Sequence, residues 1–137
     1  MSNIRLPDHH IAALTERGDK LASTLREIID RYLELLARGR AIAARELSVD
    51  QVALVADALN GTWMQADTIH LLYAEVEDAI KLDGLDTKWG VDGRWLIARL
   101  RSLPDHVTAA LVDAIERFRT RVGRGEQPDI RQIIHPA

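Results

Sequence analysis

Apolar and polar positions alternate through Asn3, Ile4, Arg5 and Leu6, the period of a short strand with one wet and one dry face, and Pro7 forbids a further ladder hydrogen bond. From Asp8 to Arg17 the spacing changes to that of a short helix carrying Ile11 and Leu14, which Gly18 is expected to stop. A longer helix follows from about Lys20. Its apolar positions, Leu21, Leu25, Ile28, Ile29, Tyr32, Leu33 and Leu36, fall at steps of three and four and make one continuous stripe. That helix either ends near Gly39 or runs on to Glu46.

Further along, Ser48 to Gln51 reads as a capping box opening a helix to Leu59, closed by Asn60 and Gly61. Thr62 to Gln65 reads as a second capping box, for a helix that buries Ile69, Leu72, Tyr73, Val76 and Ile80. The run from Leu82 to Gly93 holds three glycines and no periodicity, so a loop is expected. Helices are then predicted from Asp92 to Ser102 and again after Pro104, where Val107, Ala110, Leu111, Ala114, Ile115, Phe118 and Val122 give the strongest stripe in the chain. The tail from residue 124 is irregular, with enough isoleucine to dock.

A four-residue strand cannot stand alone, and its expected partner is the same segment of a second copy. The fold class is therefore mainly α, with one short intermolecular strand. In the paired ribbon Asn3 and Arg5 of both copies point the same way, and a ribbon of that width fits the major groove of DNA. Strand, short helix, glycine turn and long helix is the order of the ribbon-helix-helix proteins. The segment resembles that family: Asn3-Ile4-Arg5-Leu6-Pro7 is similar to its strand-to-helix junction, and Leu25-Arg26-Glu27-Ile28-Ile29-Asp30-Arg31-Tyr32-Leu33 to its second helix.

The resemblance implies a homodimeric DNA-binding repressor, of its own operon or with an antitoxin role, in which Asn3 and Arg5 read bases. It implies further that the second helix holds a DNA phosphate at its start, through free backbone N–H groups near Lys20 and with Lys20, Ser23 and Arg26 as contacts. Two departures stand out: the first helix is about one turn short, and Asp19 in the turn sets a negative charge beside the phosphate position. Outside that segment, Ala58-Leu59-Asn60-Gly61-Thr62, Val91-Asp92-Gly93 and Ala114-Ile115-Glu116-Arg117-Phe118 resemble a group of uncharacterised bacterial proteins, which brings no activity with it. The domain reading is a ribbon-helix-helix segment over 1–47 and a helical domain over 48–137, for oligomerisation or partner binding.

Charge changes this picture more than composition does. The formal net charge is −3, but residues 48–92 hold nine Asp or Glu against two Lys or Arg. Residues 1–47 hold eight Lys or Arg against seven acids, and residues 93–137 eight against five. DNA would thus meet the ends of the chain, while the acidic 48–92 region faces away or meets a basic protein partner. That second use is the alternative function: a helical interaction module that binds no DNA. Arg94, Arg99, Arg101, Arg117, Arg119, Arg121 and Arg124 form a candidate basic patch.

With 137 residues and no cysteine, the chain needs no disulfide to fold and has no thiolate zinc site or cysteine nucleophile. His9, His10, His70, His106 and His135 lack metal-ligand spacing, and carboxylates such as Glu75, Asp78 and Asp83 read as a solvated helix face. No catalytic motif is found, so an enzyme, a metal and a cofactor are not expected. Trp63, Trp89 and Trp95 are expected as core anchors or, failing that, as interface residues. With no signal-peptide pattern and no long apolar run, the expectation is a cytoplasmic protein without a membrane partner.

Overall fold

Six α-helices account for most of the residues that the structure, a computed structural model, describes: the backbone of residues 8–136 and the side chains of residues 18–136. They are α1 (Asp8–Glu46), α2 (Val49–Ala58), α3 (Leu72–Asp83), α4 (Leu85–Trp89), α5 (Gly93–Ser102) and α6 (Asp105–Gly123). Single 3-10 turns lie at Ile69–Leu71 and Ile130–Gln132. Among the described residues there is no strand, and the segment Asn3 to Leu6, with its base-reading candidates Asn3 and Arg5, lies outside them.

The chain falls into two compact units, Met1–Glu34 and Leu35–Ala137. The expected break at Gly18 in the first is absent, since α1 is helical from Asp8 to Glu46. Among the described residues nothing lies within 4 Å of where a Gly18 side chain would begin, so no described contact forces a turn there. Without such a contact, one glycine costs a helix only about 1 kcal/mol.

In the second unit, local signals explain most element boundaries. The Ser48 hydroxyl accepts from the Gln51 N–H at 3.2 Å and the Gln51 side chain accepts from the Ser48 N–H at 2.8 Å, the complete capping box expected for α2. Asp92 caps α5 by accepting from the Trp95 N–H at 3.2 Å. Pro104 precedes α6, where its missing N–H costs nothing. The glycine-rich stretch expected as a loop instead holds α4. Gly84 and Gly90, each at φ 63°, supply the left-handed turns on either side of it.

One core cluster runs through α2, α3, α4, α5 and α6. Leu36, Ala43 and Leu47, which the sequence pattern groups with the N-terminal segment, are buried, as are Leu54, Val55, Leu59, Val76, Leu96, Leu111 and Ile115. Ile130, Ile133 and Ile134 pack on the same cluster, so the tail docks as its composition predicts. At Gly39 a Cβ would sit 2.7 Å from both the Ala110 Cβ and the His106 carbonyl oxygen, so glycine allows α1 to approach α6 that closely.

Candidate functional site

On the N-terminal unit, Leu21, Leu25, Ile28, Ile29, Tyr32 and Leu33 are each between 47% and 59% exposed. At about 100° per residue they span an arc of roughly 140°, a wide apolar stripe that the described residues leave about half exposed. A contiguous exposed face of this kind marks a surface that meets something else. Lys20, Ser23 and Arg26 are also exposed and fall outside that arc, mixed with Glu27, Asp30 and Arg31. Arg31 pairs with Glu27 at 2.7 Å, so this polar face carries both signs of charge.

Because α1 is helical through residue 20, the Lys20 backbone N–H lies inside a helix rather than at its start. The expected phosphate cradle of free N–H groups is therefore not formed there, and only side chains remain as candidate contacts.

The candidate basic patch on the second unit is largely committed to internal contacts. Arg99 pairs with Glu46 at 2.9 Å and lies 4.9 Å from the Trp95 ring centre. Arg101 covers Tyr73 at 4.5 Å. Arg119 donates to the Thr62 carbonyl at 2.6 Å while stacking over Trp63 at 4.5 Å. These are positions where a planar cation braces an aromatic ring. The Thr62 capping box does not form a helix: residues 62–68 remain irregular, and Thr68 rather than Thr62 precedes the next helical turn.

The tryptophans divide. Trp89 packs on the core, and its indole N–H donates to Asp57 Oδ2 at 3.0 Å. Trp63 and Trp95 are exposed under their arginines, so core anchoring holds for one of the three. In the acidic region Lys88 reaches the same Asp57 oxygen at 2.7 Å. Burial pushes the Asp57 carboxyl up, but the hydrogen bonds from Lys88 and Trp89, with the Lys88 charge, outweigh it and hold the group below its ordinary value. Glu77 is held low by the hydrogen bond and charge of Lys81, 2.9 Å away. Among the described residues no cluster of three or more His, Asp or Glu could hold a metal ion, and no helix is long and apolar enough to cross a membrane.

Two features were not visible in the sequence. His135 Nε2 lies 2.9 Å from the Leu47 carbonyl and 3.2 Å from that of Ala44, so its proton sits on Nε2 and satisfies carbonyls at the end of α1. Their separation of 88 to 91 residues leaves no sequence signal. The second is a cavity of about 530 Å³ lined by α6, Arg40 and the docked tail, with Arg117, Arg121, Phe118 and Ile133 among its walls. Comparison with protein-family models, with curated proteins and with solved structures gives no match.

Proposed function

We propose that the protein is a homodimeric DNA-binding transcription regulator that pairs through the α1 stripe and contacts double-stranded DNA with its N-terminal segment. The observation that carries this reading is the uncovered stripe from Leu21 to Leu33, on the same residues that resemble the pairing helix of ribbon-helix-helix proteins. Two copies packed along it would bury the exposed half of six large apolar side chains each, roughly half of the 1.5–3 kcal/mol that full burial of such a side chain brings. Lys20, Ser23 and Arg26 lie outside the stripe's arc, on the side that would face phosphates, with Asn3 and Arg5 for base edges.

The unbroken helix at Gly18 adds a requirement. For the two-stranded ribbon to form, the chain must turn there on pairing, at a glycine, where a helix is weakest. A mobility-shift assay at low salt with DNA from upstream of the coding region tests the reading, since phosphate contacts are strongest there. A shift lost in Arg5→Ala, with the dimer retained, supports it; no shift with the unsubstituted protein refutes it.

A second reading keeps the dimer and drops the DNA: a helical interaction module whose acidic 48–92 surface binds a basic protein. What favours it is the continuous α1, together with the engagement of Arg99, Arg101 and Arg119 in internal contacts. Pull-down with and without nuclease separates the two, because a partner held through the acidic surface survives nuclease.

A further inference from the structure

We infer that the cavity between α6 and the C-terminal tail is a binding site for a small carboxylic acid with an apolar body. Its volume, about 530 Å³, lies within the range of roughly 300–1,000 Å³ usual for small-molecule sites. Three guanidinium groups line it: Arg117 and Arg121, one turn apart on α6, and Arg40 from α1. Ala114, Phe118 and Ile133 supply an apolar wall.

The way the arginines are held is what points to an anion. Arg117 Nε lies 3.0 Å from Asp113 Oδ2, an ion pair without hydrogen-bond geometry, and Arg121 Nε donates to Glu126 Oε1 at 3.4 Å. Arg40 shares the same Asp113 oxygen at the longer distance of 3.9 Å. Among the described residues no other group takes the Nη atoms of Arg117 or Arg121. A guanidinium carries five N–H donors, so an arginine in contact with an acid through Nε still offers the paired Nη groups that grip a carboxylate. The acids hold each arginine in place without using its outer edge.

Those acids also limit the charge the site can accept. Asp113, Glu126 and Asp129, which lines the cavity and caps the last 3-10 turn by accepting from the Arg131 N–H at 2.9 Å, offset much of the arginine charge. A singly charged head on an apolar body fits this balance better than a polyphosphate.

The test is isothermal titration of the full chain at low salt with benzoate, indole-3-acetate and hexanoate, with benzamide as the neutral control and inorganic phosphate as the bare anion. Saturable binding of at least one of the three acids is expected with Kd on the order of 0.1–1 mM, at least about tenfold tighter than benzamide or phosphate. Arg117→Gln and Arg121→Gln should each weaken it about tenfold, while Arg124→Gln, which does not line this cavity, leaves it unchanged. The Arg117 and Arg121 side chains are 63% and 55% exposed, and unchanged circular dichroism confirms that those variants fold. No saturable binding of any acid up to about 10 mM, equal binding of benzamide or phosphate, or affinity indifferent to both arginines overturns the inference. The readout involves no DNA, so its failure leaves the regulator reading standing, and failure of the DNA assay leaves this one standing.

Discussion

The two units of this chain use the same apolar side chains to opposite effect. In the second, Leu54, Leu96, Leu111 and Ile115 are fully enclosed by neighbours from other helices of the unit. In the first, Leu21, Leu25, Ile28 and Ile29 repeat at the same helical spacing and remain about half exposed. Periodicity shows which face of a helix wants cover, and it is silent on whether the cover comes from the same chain. A stripe that its own unit leaves open is where a second copy would add the most.

The largest effect expected inside the packed unit is from Leu111→Ala, which should cost about 2–5 kcal/mol in urea unfolding. Leu25→Ala in dilute solution, where copies are apart, should cost less than about 1 kcal/mol, because the side chain is already half exposed. If the two truncations cost the same at low concentration, the contrast between the units is wrong. If copies pair through the stripe at high concentration, Leu25→Ser combined with Ile29→Ser should turn that dimer into a monomer in light scattering, with the second unit's unfolding unchanged.

The glycines of α1 sharpen the same contrast on a smaller scale. Gly39→Ala places a methyl 2.7 Å from a backbone carbonyl oxygen and should destabilise by about 1–3 kcal/mol. Gly18→Ala meets nothing within 4 Å and should favour the helix by up to about 1 kcal/mol. If DNA binding needs a turn at Gly18, this stabilised variant should bind DNA more weakly, and an unchanged mobility shift would remove that requirement.

Asp57 gives the smaller pH-dependent effect. Its folded pKa lies below the ordinary 3.8, so its stabilising contribution is complete above that value and is lost as pH falls through the lowered folded pKa. Asp57→Asn should cost about 1–2 kcal/mol at neutral pH by weakening the Lys88 and Trp89 bonds. The difference from the unsubstituted protein should shrink under acid; a difference constant down to pH values well below 3.8 would show that Asp57 is not held low.

Local chemistry is what could be read from the residues in order. The Ser48 cap, the helix from about Asp92, the stripe of α6 and the restart after Pro104 all depend on groups within a turn or two of one another, and each is present as expected. Thr62 to Gln65 had the same kind of local signal and formed no helix. Its Thr62 carbonyl accepts from Arg119, 57 residues away, and its Trp63 ring lies against the same guanidinium. Gly18 failed the opposite way, since a glycine ends a helix only when something rewards the turn.

The arginine-lined cavity and the His135 contact with α1 depended on folding in the same sense. Arg40, Arg117 and Gln132 are far apart in sequence, and no spacing rule relates residues that only packing brings together. The residues along the chain set which helices form and which faces are apolar, because those follow from bonds and side chains within a few residues. Which face is covered, which arginine is already engaged and where a cavity remains follow from contacts between distant segments, and those exist only once the helices have packed.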